Sequence, residues 1–133
     1  MAEQVPDKFL DLFQKPALAH LATVMADGTP QVTPVWVDYD GTYILINTVK
    51  GRQKAVNMER RSQVGLDIVD PGNPWHWISV RGRVVEVDEQ AANEHIDKMA
   101  KKYTGQDRYA NHNPNLTRAI YKVLPDRVIG SQA

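Results

Sequence analysis

The 133-residue chain contains no cysteine. That one absence removes disulfides, thiolate nucleophiles, iron–sulfur ligation and cysteine-based zinc sites together. A charge bias is missing too: 16 Lys and Arg balance 16 Asp and Glu, a formal net charge of zero. Proteins that bind nucleic acid usually carry a basic excess to meet the phosphate backbone, so no nucleic-acid partner is expected. No apolar run approaches the ~18 to 20 residues of a membrane span. The start, Met1 to Asp7, has neither the basic nor the apolar region of a secretion signal. A cytoplasmic protein without a membrane partner is the expectation. No G-x-S-x-G elbow, P-loop, G-x-G-x-x-G or H-E-x-x-H occurs, and His20, His76, His95 and His112 show no ligand spacing. Hydrolase, triphosphatase, dinucleotide and metal chemistry therefore lack their signatures.

With 42% hydrophobic and 24% charged residues the chain has a globular composition. Its length fits one domain over residues 1–133, since domains run from ~50 to ~250 residues. Phe9, Leu10 and Phe13 predict a short N-terminal helix limited by Pro16. Strand signals follow at 18–25, 30–39 and 42–48, separated by Asp27-Gly28 and Asp40-Gly41. Two-residue Asp-Gly turns reverse the chain, so these three runs are expected to pair as an antiparallel meander. Residues 52–61 predict a helix and 64–69 a strand. A strand over 75–87 carries Gly82, a candidate bulge. Residues 89–103 predict an amphipathic helix, and 117–124 and 127–131 two last strands split by Pro125. The sum is a mainly β, α+β architecture: a small barrel with peripheral helices.

The most informative stretch is Lys50-Gly51-Arg52-Gln53-Lys54-Ala55-Val56-Asn57. Residues 50–61 hold Lys50, Arg52, Lys54, Arg60 and Arg61 against Glu59 alone. The run passes from a strand end, across a glycine, into a helix. Free N–H groups at a helix start attract anions, Arg can fork onto two phosphate oxygens, and Lys adds a point charge. The alternative is a solvated basic helix face. Thr33-Pro34-Val35-Trp36 is the second candidate, because a proline inside a strand belongs at an edge or against a ligand. Trp75-His76-Trp77 puts two indoles on one strand face, for stacking on a ligand or for packing. A phosphate site with no acid, base or nucleophile beside it suits a cofactor that brings its own reactivity.

Taken in order, these segments resemble the pyridoxamine-phosphate-oxidase-like split barrels. The motifs that carry the likeness are Leu21-Ala22-Thr23-Val24, Gln31-Val32-Thr33-Pro34-Val35-Trp36, Ile44-Leu45-Ile46-Asn47-Thr48, Lys50 to Asn57, Val80-Arg81-Gly82-Arg83-Val84 and Arg127-Val128-Ile129-Gly130-Ser131. The wording of residues 50–57 is similar to the branch that uses the deazaflavin coenzyme F420. The resemblance implies a homodimer of six-stranded antiparallel split β-barrels with cofactor at the subunit interface. It implies that Arg52 and Lys54 hold the cofactor phosphate, helped by Thr48, Lys50 and Gln53, with Asn57 also among the cofactor-binding residues. Gln31, Val32, Thr33, Pro34 and Val35 would then lie along the ring, with Trp77 or Trp75 approaching from the partner. The implied activity is hydride transfer from the reduced deazaflavin to a small conjugated acceptor. FMN is the alternative cofactor, and a non-catalytic flavin- or haem-binding barrel the alternative function. A pyridoxamine phosphate oxidase would continue into a C-terminal segment rich in Trp, Arg and Pro. No Trp follows Trp77 here, so vitamin-B6 oxidation is not expected.

Overall fold

The computed structural model describes residues 2–131. A 3-10 turn at Asp7–Phe9 leads into α1 (Asp11–Gln14). Strands β1 (Ala19–Val24), β2 (Pro30–Val35), β3 (Asp38–Tyr39) and β4 (Ile44–Val49) precede α2 (Gln53–Arg60). Then come β5 (Gln63–Asp70), β6 (Asn73–Asp88), α3 (Ala92–Thr104) and β7 (Arg118–Gly130). The strands form one sheet in the order β2-β1-β5-β6-β7-β4-β3, every neighbouring pair antiparallel.

That order forces curvature. β2 and β3 sit on opposite edges, yet only Trp36 and Val37 separate them in the chain. Six strand spacings in a flat sheet would hold the edges about 29 Å apart. Two linking residues reach only about 10 Å. The sheet therefore curls until its edges nearly meet, the antiparallel split barrel implied by the resemblance. It has seven strands instead of six, because the run expected over 30–39 breaks at Trp36-Val37. The same break corrects the expected meander: the Asp27-Gly28 turn joins paired β1 and β2, and Asp40-Gly41 joins β3 and β4, but β2 pairs with β1 alone. The two runs expected at the C-terminal end are one continuous strand. Pro125 is accommodated where the β6–β7 register shifts beside Gly82. A Cβ on Gly82 would stand 2.6 Å from the Leu124 carbonyl oxygen, so the bulge there requires glycine.

Alternation along the strands sends Leu21, Ile44, Ile46, Ile68, Ile78, Val80, Tyr121 and Val123 into the barrel, where all are buried. The other face of β4 carries Leu45 under α3, packed with Ala92 and Ile120. No helix among the described residues is long and apolar enough to cross a membrane.

α3 is latched to the β2–β3 link through its last turn. Lys102 donates from Nζ to the carbonyls of Phe13, at 2.7 Å, and Val37. Tyr103 donates its hydroxyl to Ala17 O at 2.7 Å and accepts from Val37 N at 3.0 Å. Burial pushes Lys102 down to about 8 and Tyr103 up to about 12. Between about 8 and its ordinary value of 10.5, Lys102 is deprotonated in the fold but protonated in the unfolded chain. The unfolded state then binds the extra proton, so stability rises with pH across that window. Unfolding free energy should climb more steeply from about pH 8 to pH 10 in the unmodified chain than in Lys102→Met. Parallel denaturation profiles for the two would contradict the latch.

Candidate functional site

The closing of the barrel leaves a cleft of about 490 Å³ between the β2–β4 side and α3. One wall is Pro34, Val35 and Trp36 at the end of β2, and the floor is Asn47 and Thr48 of β4 with Arg52 and Lys54. The opposite wall is Ile96 and Ala100 of α3 and the loop that follows, including Arg108 and Tyr109. Arg118, the first residue of β7, completes the floor.

The local backbone explains the anion-seeking character of this floor. Gly51 adopts a φ of +96°, which an L side chain rarely tolerates, and so turns the chain from β4 into α2. Arg52 is the N-cap, extended and without a side-chain capping bond, and the first turn of α2 has no acidic residue. The helix start is left open for an anion. Lys54 is pushed below its ordinary value by burial and further by the charge of Arg52. Arg118 is pushed down mainly by burial, with repulsion from Arg52 adding to it and Tyr109 opposing. Among the described residues none of these three cations has a carboxylate within salt-bridge distance. Cations gathered without counter-ions in a partly dry cleft are stabilised by any anion that enters.

The wall is aromatic. Trp36 stacks on Tyr103, ring centroids 5.1 Å apart and planes within 5°, and meets Tyr109 edge-on at 6.0 Å. The Arg118 guanidinium lies over the Tyr109 ring at 4.9 Å.

A larger cleft, about 620 Å³, lies elsewhere on the barrel, among Ala22, Gly65, Gly82, Arg81 and Arg127. Asp126 also lines it and engages Arg83 at 3.4 Å. It has an acid in its lining and no helix start, whereas the smaller cleft joins Arg52, Lys54 and Arg118 to the open start of α2, and we place the site there.

The chain is similar to known proteins in sequence and in fold. Residues 5–131 match the pyridoxamine 5'-phosphate oxidase family. The chain belongs to that family. A Mycobacterium tuberculosis (strain CDC 1551 / Oshkosh) protein named F420H(2)-dependent biliverdin reductase is 33% identical over 131 residues, spanning 96% of this chain and 89% of its own. A solved structure named F420 reductase superposes with a TM-score of 0.84 at 30% identity, over 94% of this chain and 98% of the other. HupZ of Group A Streptococcus shares the fold, with a TM-score of 0.65 at 22% identity over 97% and 95% of the two chains.

Of the residues read from the sequence, this family member brings Pro34, Val35, Thr48, Arg52 and Lys54 to the cleft. Gln31, Thr33 and Val35 share the half-buried face of β2, and Val32, 61% exposed, points away from it. Thr33 Oγ1 is a buried side-chain polar atom with no hydrogen-bond partner, on the face that Val35 turns to the cleft. Thr33 and Gln31 do not themselves line the cleft. Lys50 turns aside to Glu89 at 3.0 Å and Glu59 at 3.6 Å and does not line the cleft. Trp77, half-buried on β6, does not line the cleft of its own chain. Arg108, Tyr109 and Arg118 went unnoticed in the sequence. The aromatic Tyr109 in an otherwise polar loop was the one local signal available.

Asn57 is fully buried, and its polar atoms are engaged within the fold. Its Nδ2 donates to Thr23 Oγ1 at 3.0 Å and faces Gln31 Oε1 at 3.4 Å. Its Oδ1 accepts from Gln53 Nε2 at 2.8 Å and Arg61 Nη2 at 3.3 Å. It ties α2 to β1 and β2 and so sets where Arg52 and Lys54 stand. Asn57→Ala should cost about 1 to 3 kcal/mol of stability in urea unfolding without any ligand, because several buried partners lose their mate. Unchanged stability would show that the network does not hold α2.

Proposed function

We propose that this chain is an F420-dependent oxidoreductase that reduces a small conjugated, electron-poor acceptor. The observation that carries the reading is the cluster of Arg52, Lys54 and Arg118, which has no acidic partner and lies beside the open start of α2. Arg52 and Lys54 hold the cofactor phosphate, Arg52 by a forked contact and Lys54 as a point charge. Gln31, Thr33, Pro34 and Val35, with Thr48, lie along the ring system, and Thr33 Oγ1 finds there the partner it otherwise lacks. When bound, the reduced deazaflavin supplies a hydride to the electron-poor double bond of the acceptor. The apolar wall of Val35, Trp36 and Ile96 excludes water from that region. Two similar proteins bear F420 reductase names, which supports F420 over FMN. One of them is a biliverdin reductase, so a linear tetrapyrrole is the first acceptor to assay.

On this reading residues 1–133 act as one cofactor-binding domain, and two copies assemble as a homodimer. Apolar surface on Val32, Trp75 and Ile129, exposed at 61%, 74% and 47%, supports the pairing. Trp77 belongs to the partner-facing side in such an assembly.

Arg52→Ala should weaken F420 binding about ten- to a hundredfold in a fluorescence titration, as one or two charge-assisted bonds are lost. Arg52→Lys should recover only part of the loss, since an ammonium cannot fork. Arg52 is exposed and without an ion-pair partner, so the cofactor-free melting temperature should stay unchanged. Undiminished affinity together with a melted apo protein would assign Arg52 a structural role instead. Tight FMN binding with no F420 binding would reverse the choice of cofactor.

A further inference from the structure

Behind the cleft, side chains from four elements form one hydrogen-bonded row. Asp38 Oδ2 on β3 meets His95 Nε2 on α3 at 3.0 Å. His95 Nδ1 meets Asn47 Nδ2 on β4 at 3.0 Å. That same Nδ2 donates to Ala92 O at 2.8 Å, and Asn47 Oδ1 accepts from Arg118 Nη1 at 3.1 Å. The side chains of His95 and Asp38 are only 9% and 13% exposed.

Chemistry leaves this row a single proton arrangement. Arg118 can only donate, so the Asn47 atom facing it is the oxygen. The Ala92 carbonyl can only accept, so the Asn47 atom facing it is the nitrogen. His95 Nδ1 faces that same NH2 group and must therefore accept. The imidazole proton then resides on Nε2 and is donated to Asp38. Asp38 in turn is held ionised: burial works against its charge, but the bonds from His95 and Tyr39 N and the nearby Lys98 outweigh it. The charges around His95 are Asp38 on β3, Lys98 and Lys102 on its own helix, and Arg118 on β7, while β4 contributes the neutral Asn47.

Adding a second proton at Nδ1 would set an N–H against the Asn47 NH2. The clash is relieved only if the amide turns over. Turning it places Oδ1 against the Ala92 carbonyl and NH2 against the Arg118 guanidinium, so both of those bonds break. The Arg118 guanidinium also lies over the Tyr109 ring.

We propose that Asn47, locked by the Asp38–His95 pair, is the positioning residue that holds Arg118 in the cleft against the anionic group of the ligand. The proposal rests on the F420 reading for the identity of that ligand, but not for the relay itself.

A double-mutant cycle with F420 as the probe tests the positioning role. Asn47→Leu should weaken binding about tenfold in the unmodified background. In Arg118→Ala the same change should cost less than about twofold, because the residue it acts through is gone. Equal losses in both backgrounds, or none in either, would overturn the proposal. The relay is also read without cofactor or loss of folding, from the imidazole nitrogen-15 spectrum of the unmodified protein. His95 should show the Nε2–H tautomer, with Nδ1 unprotonated toward Asn47. An Nδ1–H tautomer would contradict the relay. If the unmodified protein binds no F420, the cofactor reading fails while the His95 spectrum still decides the relay.

Discussion

Two residues, Trp36 and Val37, join strands that lie on opposite edges of a seven-stranded sheet, and the site follows from that short link. A chain so short cannot cross a flat sheet, so the sheet curls and the end of β2 comes round beside β4 and the start of α2. Trp36 is carried into the cleft by the same turn and becomes its aromatic wall. α3 secures the join from outside, with Lys102 and Tyr103 serving the carbonyls and N–H of the link and of the segment around α1. Asn57 secures it from inside by tying α2 to the first hairpin. The cleft is thus a consequence of closure and not a separate structure laid upon the barrel.

Electrostatics then sets what the cleft accepts. The molecule is neutral overall, and several of its cations are matched: Lys15 with Asp11 and Asp70, Lys50 with Glu59 and Glu89, Lys122 with Glu86 and Asp88. The Asp11, Asp70 and His76 cluster has metal-like geometry, but Lys15 already bridges both of its carboxylates. Arg52, Lys54 and Arg118 have no carboxylate within salt-bridge distance among the described residues, and two of them are partly desolvated, at an uncapped helix start. Keeping like charges together without counter-ions is unfavourable in the empty cleft, and a bound phosphate converts that repulsion into affinity. The larger cleft offers Arg81 and Arg127, but it has no helix start and Asp126 shares its lining.

Much of this was legible in the sequence where the information is local. The Asp-Gly turns, the bulge at Gly82 and the strand–glycine–helix passage at Gly51 are backbone requirements that particular residues announce. The break at Trp36-Val37 was not legible, because both residues are good strand formers and only the tertiary route of the chain parts them. Pairing partners were equally hidden. Lys50 belonged to the basic run in sequence, yet space turns it to Glu59 and Glu89. Arg118 lies far along the chain from residues 50–57, and only the β4–β7 pairing, which sets Val49 opposite Arg118, brings it to them. The Asp38–His95–Asn47 row likewise draws on three elements whose neighbourhood no spacing reveals.

The central claim is that unmatched cations at the start of α2 hold the cofactor's phosphate. A crystal structure of the protein with F420 bound tests it most directly. The account predicts the phosphate within hydrogen-bonding reach of Arg52 and Lys54 and of the N–H groups at the start of α2, with the ring against Pro34 and Val35. A cofactor seated instead in the larger cleft, with its phosphate on Arg81 and Arg127, would contradict it.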